Sequence, residues 1–281
     1  MRFFVLTAVV MVAFAANSVL NRMAVEGAGM SAMGFAAVRL TSGAVVLWAL
    51  VGLRGGAMPW RQGPRVTGVL ALLGYALCFS LAYEALDAGL GALLLFGMVQ
   101  ITMFLAAVLR REEVPLMRWI GAAVAFGGLV WLLSPGGSTV AMGPAVLMAG
   151  AGVAWGLYSL AGRHEREATA GTAANFVLAA PLAGLAWIIN GGDVTARGAI
   201  LACVSGAIAS GLGYALWYQL VPRLGAARAA VAQLTVPVIA GLGGALLLAE
   251  VPSLRLMLAG ALVLGGVALS LSAGSVQAGR R

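Results

Sequence analysis

Polar residues set into long apolar runs are where this chain could do chemistry. The first run carries Asn17, Ser18 and Asn21, and the two asparagines stand four apart, on one helix face. An amide offers donors and an acceptor, which suits a zwitterionic or amide-bearing ligand and equally a bond between helices. Later runs add Tyr75, Ser80 and Tyr83, then Gln100, then Trp155, Tyr158 and Ser159, then Ser205, Ser210 and Tyr214, then Gln233 and Thr235. The candidate binding set is Asn17, Ser18, Asn21, Tyr75, Ser80, Tyr83, Gln100, Trp155, Tyr158, Ser159, Ser210, Tyr214, Gln233 and Thr235. Arg39 and Pro237 are candidates for charge and gating. Tyr214, Trp217 and Tyr218 form one stripe, and its last two members read as an interfacial belt near Arg223.

Arg39 is the one charge well inside an apolar run, and at bilayer depth it costs at least ~2.5 kcal/mol. It would contact a substrate carboxylate, or else snorkel or pair with helix-end carbonyls. No Asp or Glu lies deep in any run; Glu84, Asp87, Glu113 and Glu250 sit at run ends. A carrier of lipophilic cations needs a buried acid whose pKa lies near neutrality. That absence favours neutral, zwitterionic or anionic metabolites. Cys78, Cys203 and His164 are too dispersed for a metal or haem site, and His164 reads as a solvated loop residue. No cofactor is expected.

Positioning these residues falls to membrane helices. Of 281 residues, 62% are hydrophobic and 9% charged, and mean hydropathy is +1.01. A soluble enzyme, a nucleic-acid binder or a disordered chain would carry far more charge. The net charge of +8 comes from 17 basic residues, all Arg, spread between apolar runs. Ten runs of about 20 residues fit the bilayer, at 3–22, 31–52, 66–84, 89–109, 115–133, 142–161, 169–189, 198–219, 225–248 and 253–272. Short loops leave no room for a nucleotide-binding domain, and continuous apolar runs exclude a β-barrel. The first run bears Asn17, Asn21 and Arg22 and has no cleavage site after it, so it reads as a helix rather than a leader. With the N-terminus inside, twelve Arg fall on the inner side and three on the outer, which puts both termini in the cytoplasm of a bacterial inner-membrane protein.

The halves resemble each other. Phe14-Ala15-Ala16-Asn17-Ser18-Val19 matches Trp155-Gly156-Leu157-Tyr158-Ser159-Leu160, and Arg22 matches Arg163. Glu113-Val114-Pro115 matches Glu250-Val251-Pro252, and Gly127-Gly128 matches Gly265-Gly266. Five helices per half is an odd number, so similar halves face opposite ways across the membrane. Such inverted repeats hold a substrate between them and exchange conformations. The repeats are read as 1–135 and 136–281.

Ala16-Asn17-Ser18-Val19-Leu20-Asn21-Arg22, Phe35-Ala36-Ala37-Val38-Arg39-Leu40, Gly152-Val153-Ala154-Trp155-Gly156-Leu157-Tyr158 and Gly213-Tyr214-Ala215-Leu216-Trp217-Tyr218 resemble the ten-helix EamA-like exporters of the drug/metabolite transporter superfamily. The segment from Leu224 to Glu250, with Pro237 inside, is similar to that family's ninth helix. The resemblance implies an all-α bundle of ten transmembrane helices, with the second helix a peripheral gate. On length and layout the amino-acid exporters are the nearest members. Gln100 stands where the second half has Pro237, so the fourth helix should be the stiffer. The expected activity is export of amino acids, aromatic ones included, or related metabolites, by alternating access, through facilitated diffusion or exchange. The alternative is a multidrug or phosphorylated-metabolite carrier; a phosphate carrier needs several cavity-facing basic residues, where only Arg39 and Arg228 qualify. A membrane enzyme would need clustered His, Asp or Glu. The expected partners are the substrate and the bilayer, without nucleic acid, in a monomer or weak dimer.

Overall fold

The computed structural model describes residues 2–61, 65–111, 114–134, 141–163, 165, 167–224 and 226–278. Glu113, His164, Arg166, Arg280 and Arg281 lie outside the described residues, as do the side chains of Tyr218 and Arg228. The described residues are helical with no strand, and ten helical spans are long and apolar enough to cross a membrane. In hydrocarbon every backbone polar group must be satisfied within the segment, and a continuous helix does this. The spans are α1 (Arg2–Arg22), α2 (Ala32–Leu53), α3 (Arg65–Ala82), α4 (Ala88–Leu109), α5 (Leu116–Leu133), α6 (Met142–Gly162), α7 (Ala168–Asn190), α8 with α9 (Ala196–Cys203, Gly213–Leu224), α10 with α11 (Ala226–Gln233, Thr235–Leu248), and α12 (Leu254–Ala278). The Ser31 hydroxyl caps α2 by accepting from the Gly34 N–H, and Thr195 caps α8 through the Gly198 N–H.

Lipid tails are as apolar as leucine, so the helices gain little from hiding apolar surface from lipid and must interlock closely instead. Glycine makes the contacts. Gly89 of α4 meets Gly241 of α11, Gly152 of α6 meets the Leu95 carbonyl and Met98 of α4, and Gly43 of α2 lies against the Phe176 ring of α7. On the far flank α5 and α12 pack through Gly121 and Gly266, each set against the other's backbone. The outward face of the bundle stays apolar, with Leu53, Leu246 and Val146 exposed to the bilayer.

Three spans depart from a plain α-helix. Between α8 and α9 the chain winds as a π-helix over Val204–Leu212. The ninth span breaks at Leu234, three residues before Pro237. Proline has no N–H to give the Gln233 carbonyl, so the ladder cannot run through. The fourth span, with Gln100 at the matching place, runs unbroken from Ala88 to Leu109. The first span also runs past Arg22 as a π-turn over Met23–Gly27, beyond the end read from sequence.

A side chain at Gly266 would collide with the backbone of α5. Gly266→Leu is expected to cost about 1–3 kcal/mol of stability by overpacking. Thermal unfolding of the purified variant in detergent measures this, and an unchanged midpoint would show that α5 and α12 do not interlock through this residue.

Candidate functional site

The interior is organised around Arg39 of α2, whose residue surface is 1% exposed. Its Nε donates to Ser210 Oγ at 3.2 Å and its Nη2 to the Tyr75 hydroxyl at 3.0 Å. The guanidinium carbon stands 5.1 Å from the ring centres of both Tyr75 and Phe79. Ser210 in turn donates to Asn17 Oδ1 at 3.2 Å, and Ser205 donates to the same oxygen at 2.7 Å. A single chain of bonds thus joins α2, α3, the π-helix and α1.

The π-helix explains how two serines five apart reach one oxygen. In an α-helix, five residues turn the direction by about 140° beyond a full turn, onto different faces. In a π-helix, whose bonds run i to i+5, they stack on one side. Gly206, between them, lets α2 come in so closely that a Cβ there would run into the Arg39 carbonyl and the Ser42 hydroxyl.

Aromatic rings wall this network. Trp155 lies 4.9 Å from Tyr75, 5.4 Å from Tyr158 and 5.1 Å from Tyr214, centre to centre. Tyr214 also meets Phe14 at 5.6 Å and Phe176 at 5.9 Å. Two polar atoms in the interior are buried without a hydrogen bond: Nη1 of Arg39 and Oδ1 of Asn21. Asn21 spends its Nδ2 on Ser80 Oγ at 3.0 Å.

Asn17, Asn21, Tyr75, Ser80, Trp155, Tyr158, Ser210 and Tyr214 therefore belong to one interior group, and buried Ser18 lies on the same helix. Tyr158 donates to Thr172 at 3.3 Å. Tyr83 stands at the end of α3, its ring on Phe79 and its hydroxyl on the Ala88 carbonyl. The others fall elsewhere. Gln100 faces a crevice between α4, α5 and α12, beside Phe104, Arg118 and Ser270. Ser159 bonds back to the Trp155 carbonyl, and exposed Thr235 bonds back to Ala232. Gln233 is half-buried at the helix break, while Pro237 is buried. Trp217 is 8% exposed and packs on Phe14 at 5.7 Å, so it is no interfacial belt. Arg39 does not snorkel; its charge is held in the core.

Sequence reading left out Phe14, Phe79 and Phe176, which look like ordinary core residues in an apolar run. It also left out two ion-pair ties. At one end of the bundle Arg22 binds Glu250 at 3.2 Å, Glu26 at 2.8 Å and the Tyr83 and Glu84 carbonyls. Glu250 turns back over α4 because Ala249 takes a left-handed conformation, and its Oε2 accepts from the Ala88 N–H at 2.8 Å. At the other end Arg65 pairs with Glu165 at 3.0 Å and donates to Asn175 and the Gly171 carbonyl. Each tie spans the two halves. The matched Arg22 and Glu-Val-Pro positions were a visible signal for the first, but their mutual contact was not.

Comparison with known proteins bears on this arrangement. The sequence profile of the EamA-like transporter family matches residues 2–134 and again residues 142–272. The chain belongs to the EamA-like transporter family. This transporter is 48% identical to an uncharacterized protein of Pseudomonas aeruginosa over 274 residues, covering 96% of this chain and 95% of the other. It is 25% identical to an uncharacterized transporter of Archaeoglobus fulgidus, covering 79% of this chain and 82% of that one. A solved crystal structure aligns with a TM-score of 0.64 at 21% identity, covering 94% and 96% of the two chains, a likeness of fold alone.

Burial pushes the Glu250 carboxyl above the usual range and Asp87 adds to the shift, against the Ala88 N–H and Arg22, which lower it. A raised folded value means that acid protonates Glu250 sooner than in the unfolded chain. Protonation favours the folded state, while the pair with Arg22, which needs the carboxylate, weakens as pH falls through that value. With Cys78 and Cys203 removed and spin labels at Glu84 and Val251, the distance between the labels should lengthen on acidification. In Glu250→Gln it should be long at every pH. A distance indifferent to both would show that the tie does not hold this end shut.

Proposed function

We propose that this transporter exports amino acids, aromatic ones among them, or related small carboxylated metabolites across a bacterial inner membrane. Its inverted halves alternate in access, and movement is by facilitated diffusion or exchange. The observation that carries the reading is the buried Arg39 guanidinium, with one nitrogen unbonded, beside the ring wall of Tyr75, Trp155 and Tyr214. A carboxylate on the guanidinium with an apolar or aromatic body on the rings would suit both surfaces.

Among the described residues every Asp and Glu lies at or beyond a helix end, which speaks against a lipophilic cation as cargo. The arginine bias of the loops supports cytoplasmic termini. Asn17, held by two serines, keeps the first helix and the π-helix in register around the cargo, and the break at Pro237 gives the ninth span a joint on which to move.

The test is uptake by purified protein in liposomes, with a panel of labelled amino acids and with or without a pH gradient. At least one should enter faster than into protein-free liposomes without a pH gradient. Tyr214→Ala should lower its rate by about tenfold, the loss of a large aromatic contact. No uptake of any amino acid, together with proton-dependent efflux of a cationic dye, would sink this reading.

A further inference from the structure

We propose that the interior site selects substrates of net charge −1, a carboxylate flanked by a neutral N–H or O–H, over zwitterionic amino acids. This rests on the reading of the protein as an exporter of carboxylated metabolites and narrows its substrate class.

The argument is one of charge balance. Arg39 stays protonated at any physiological pH, and its residue surface is 1% exposed. Among the described residues no carboxylate pairs with it; its partners include the hydroxyls of Ser210 and Tyr75 and the rings of Tyr75 and Phe79, and the Tyr214 hydroxyl also acts on it. Hydroxyls and ring faces solvate a cation without cancelling it. The protein's own groups therefore leave a full positive charge where the medium screens poorly. A monoanion on Nη1 brings the site to neutrality. A zwitterion supplies the same carboxylate but must also bury an ammonium.

Among the described residues no carboxylate stands in the core to meet that ammonium. The second buried atom without a partner is Asn21 Oδ1, an uncharged acceptor. It lies beside the same turn of α3 as the guanidinium, for Asn21 is bonded to Ser80 and Arg39 sits on Phe79. A neutral acceptor takes a hydroxyl or amide N–H at little cost, whereas an ammonium adds a second positive charge to a core that already holds the guanidinium and screens poorly. The two open atoms thus describe two groups on the ligand: a carboxylate and an uncharged donor.

One series with a common phenyl body separates the charges. Phenyllactate and N-acetylphenylalanine are monoanions with a neutral donor. Phenylalanine is a zwitterion, phenyllactamide is neutral, and phenylalaninamide is a cation. Each labelled compound is exchanged into proteoliposomes preloaded with the same unlabelled compound, with protein-free liposomes subtracted. The two monoanions should exchange about tenfold faster than phenylalanine or more, about 1.4 kcal/mol of preference, and both amides should be the slowest. Arg39→Gln should erase that preference by slowing the monoanions, while Arg39→Lys should keep the order. Phenylalanine exchanging as fast as the monoanions would overturn this inference and leave the exporter reading standing. Failure of every member on the wild type would overturn the exporter reading and the inference with it. The series on the wild type is decisive without any variant, so a misfolded Arg39 variant cannot blur the result.

Discussion

A guanidinium cannot shed its proton, and Arg39 takes one into the core of a bundle surrounded by lipid. The cost at that depth is at least ~2.5 kcal/mol, and each charge-assisted hydrogen bond returns about 1.5–3 kcal/mol. Two such bonds and two ring faces are enough to hold it. Much of the interior architecture serves that requirement. The π-helix turns two serines to one side, Gly206 admits the backbone of α2, and Asn17 anchors the serines from the first helix. Exchanging Ser210 or Tyr75 for an apolar residue of similar size would leave the charge with fewer hydrogen-bond partners and the same burial.

The ends of the bundle obey a different logic. Arg22 with Glu250 and Arg65 with Glu165 are complete pairs, each wrapped by carbonyls or amides. Their charges are met within the protein, whereas the interior charge is met only by hydroxyls and rings. With an ion pair across its halves at each end and no counter-ion at its centre, the bundle has its most demanding unmet interaction at Arg39. The broken ninth span and the π-wound eighth lie in the second half, while their first-half counterparts α4 and α3 are continuous, so the two halves are alike in fold but differ in helix continuity.

Much of this was legible in the residues. Ten spans follow from run length, because the bilayer imposes one dimension on every helix. Asn17, Asn21, Tyr75 and Tyr214 were found because a polar group in an apolar run must face inward. The same rule misled at Gln100 and Thr235, since a polar side chain can also turn to a lateral crevice or bond its own backbone. Trp217 read as a belt residue because nearness to Arg223 was visible and the packing of Phe14 was not. The π-helix left no trace in periodicity: Ser205 and Ser210 look unrelated until the winding changes. Pairs such as Arg65 and Glu165, 100 positions apart, depend on how the halves fold together.

The central claim, that Arg39 is a buried and unneutralised charge awaiting an anion, can be measured at the atom itself. The side-chain 15N resonances of arginine-labelled protein should include one slowly exchanging guanidinium that disappears in Arg39→Gln. The account predicts that phenyllactate shifts this resonance and phenyllactamide does not. A guanidinium that exchanges freely with water, or one that ignores both compounds while Arg22 or Arg65 responds to the acid, would contradict it.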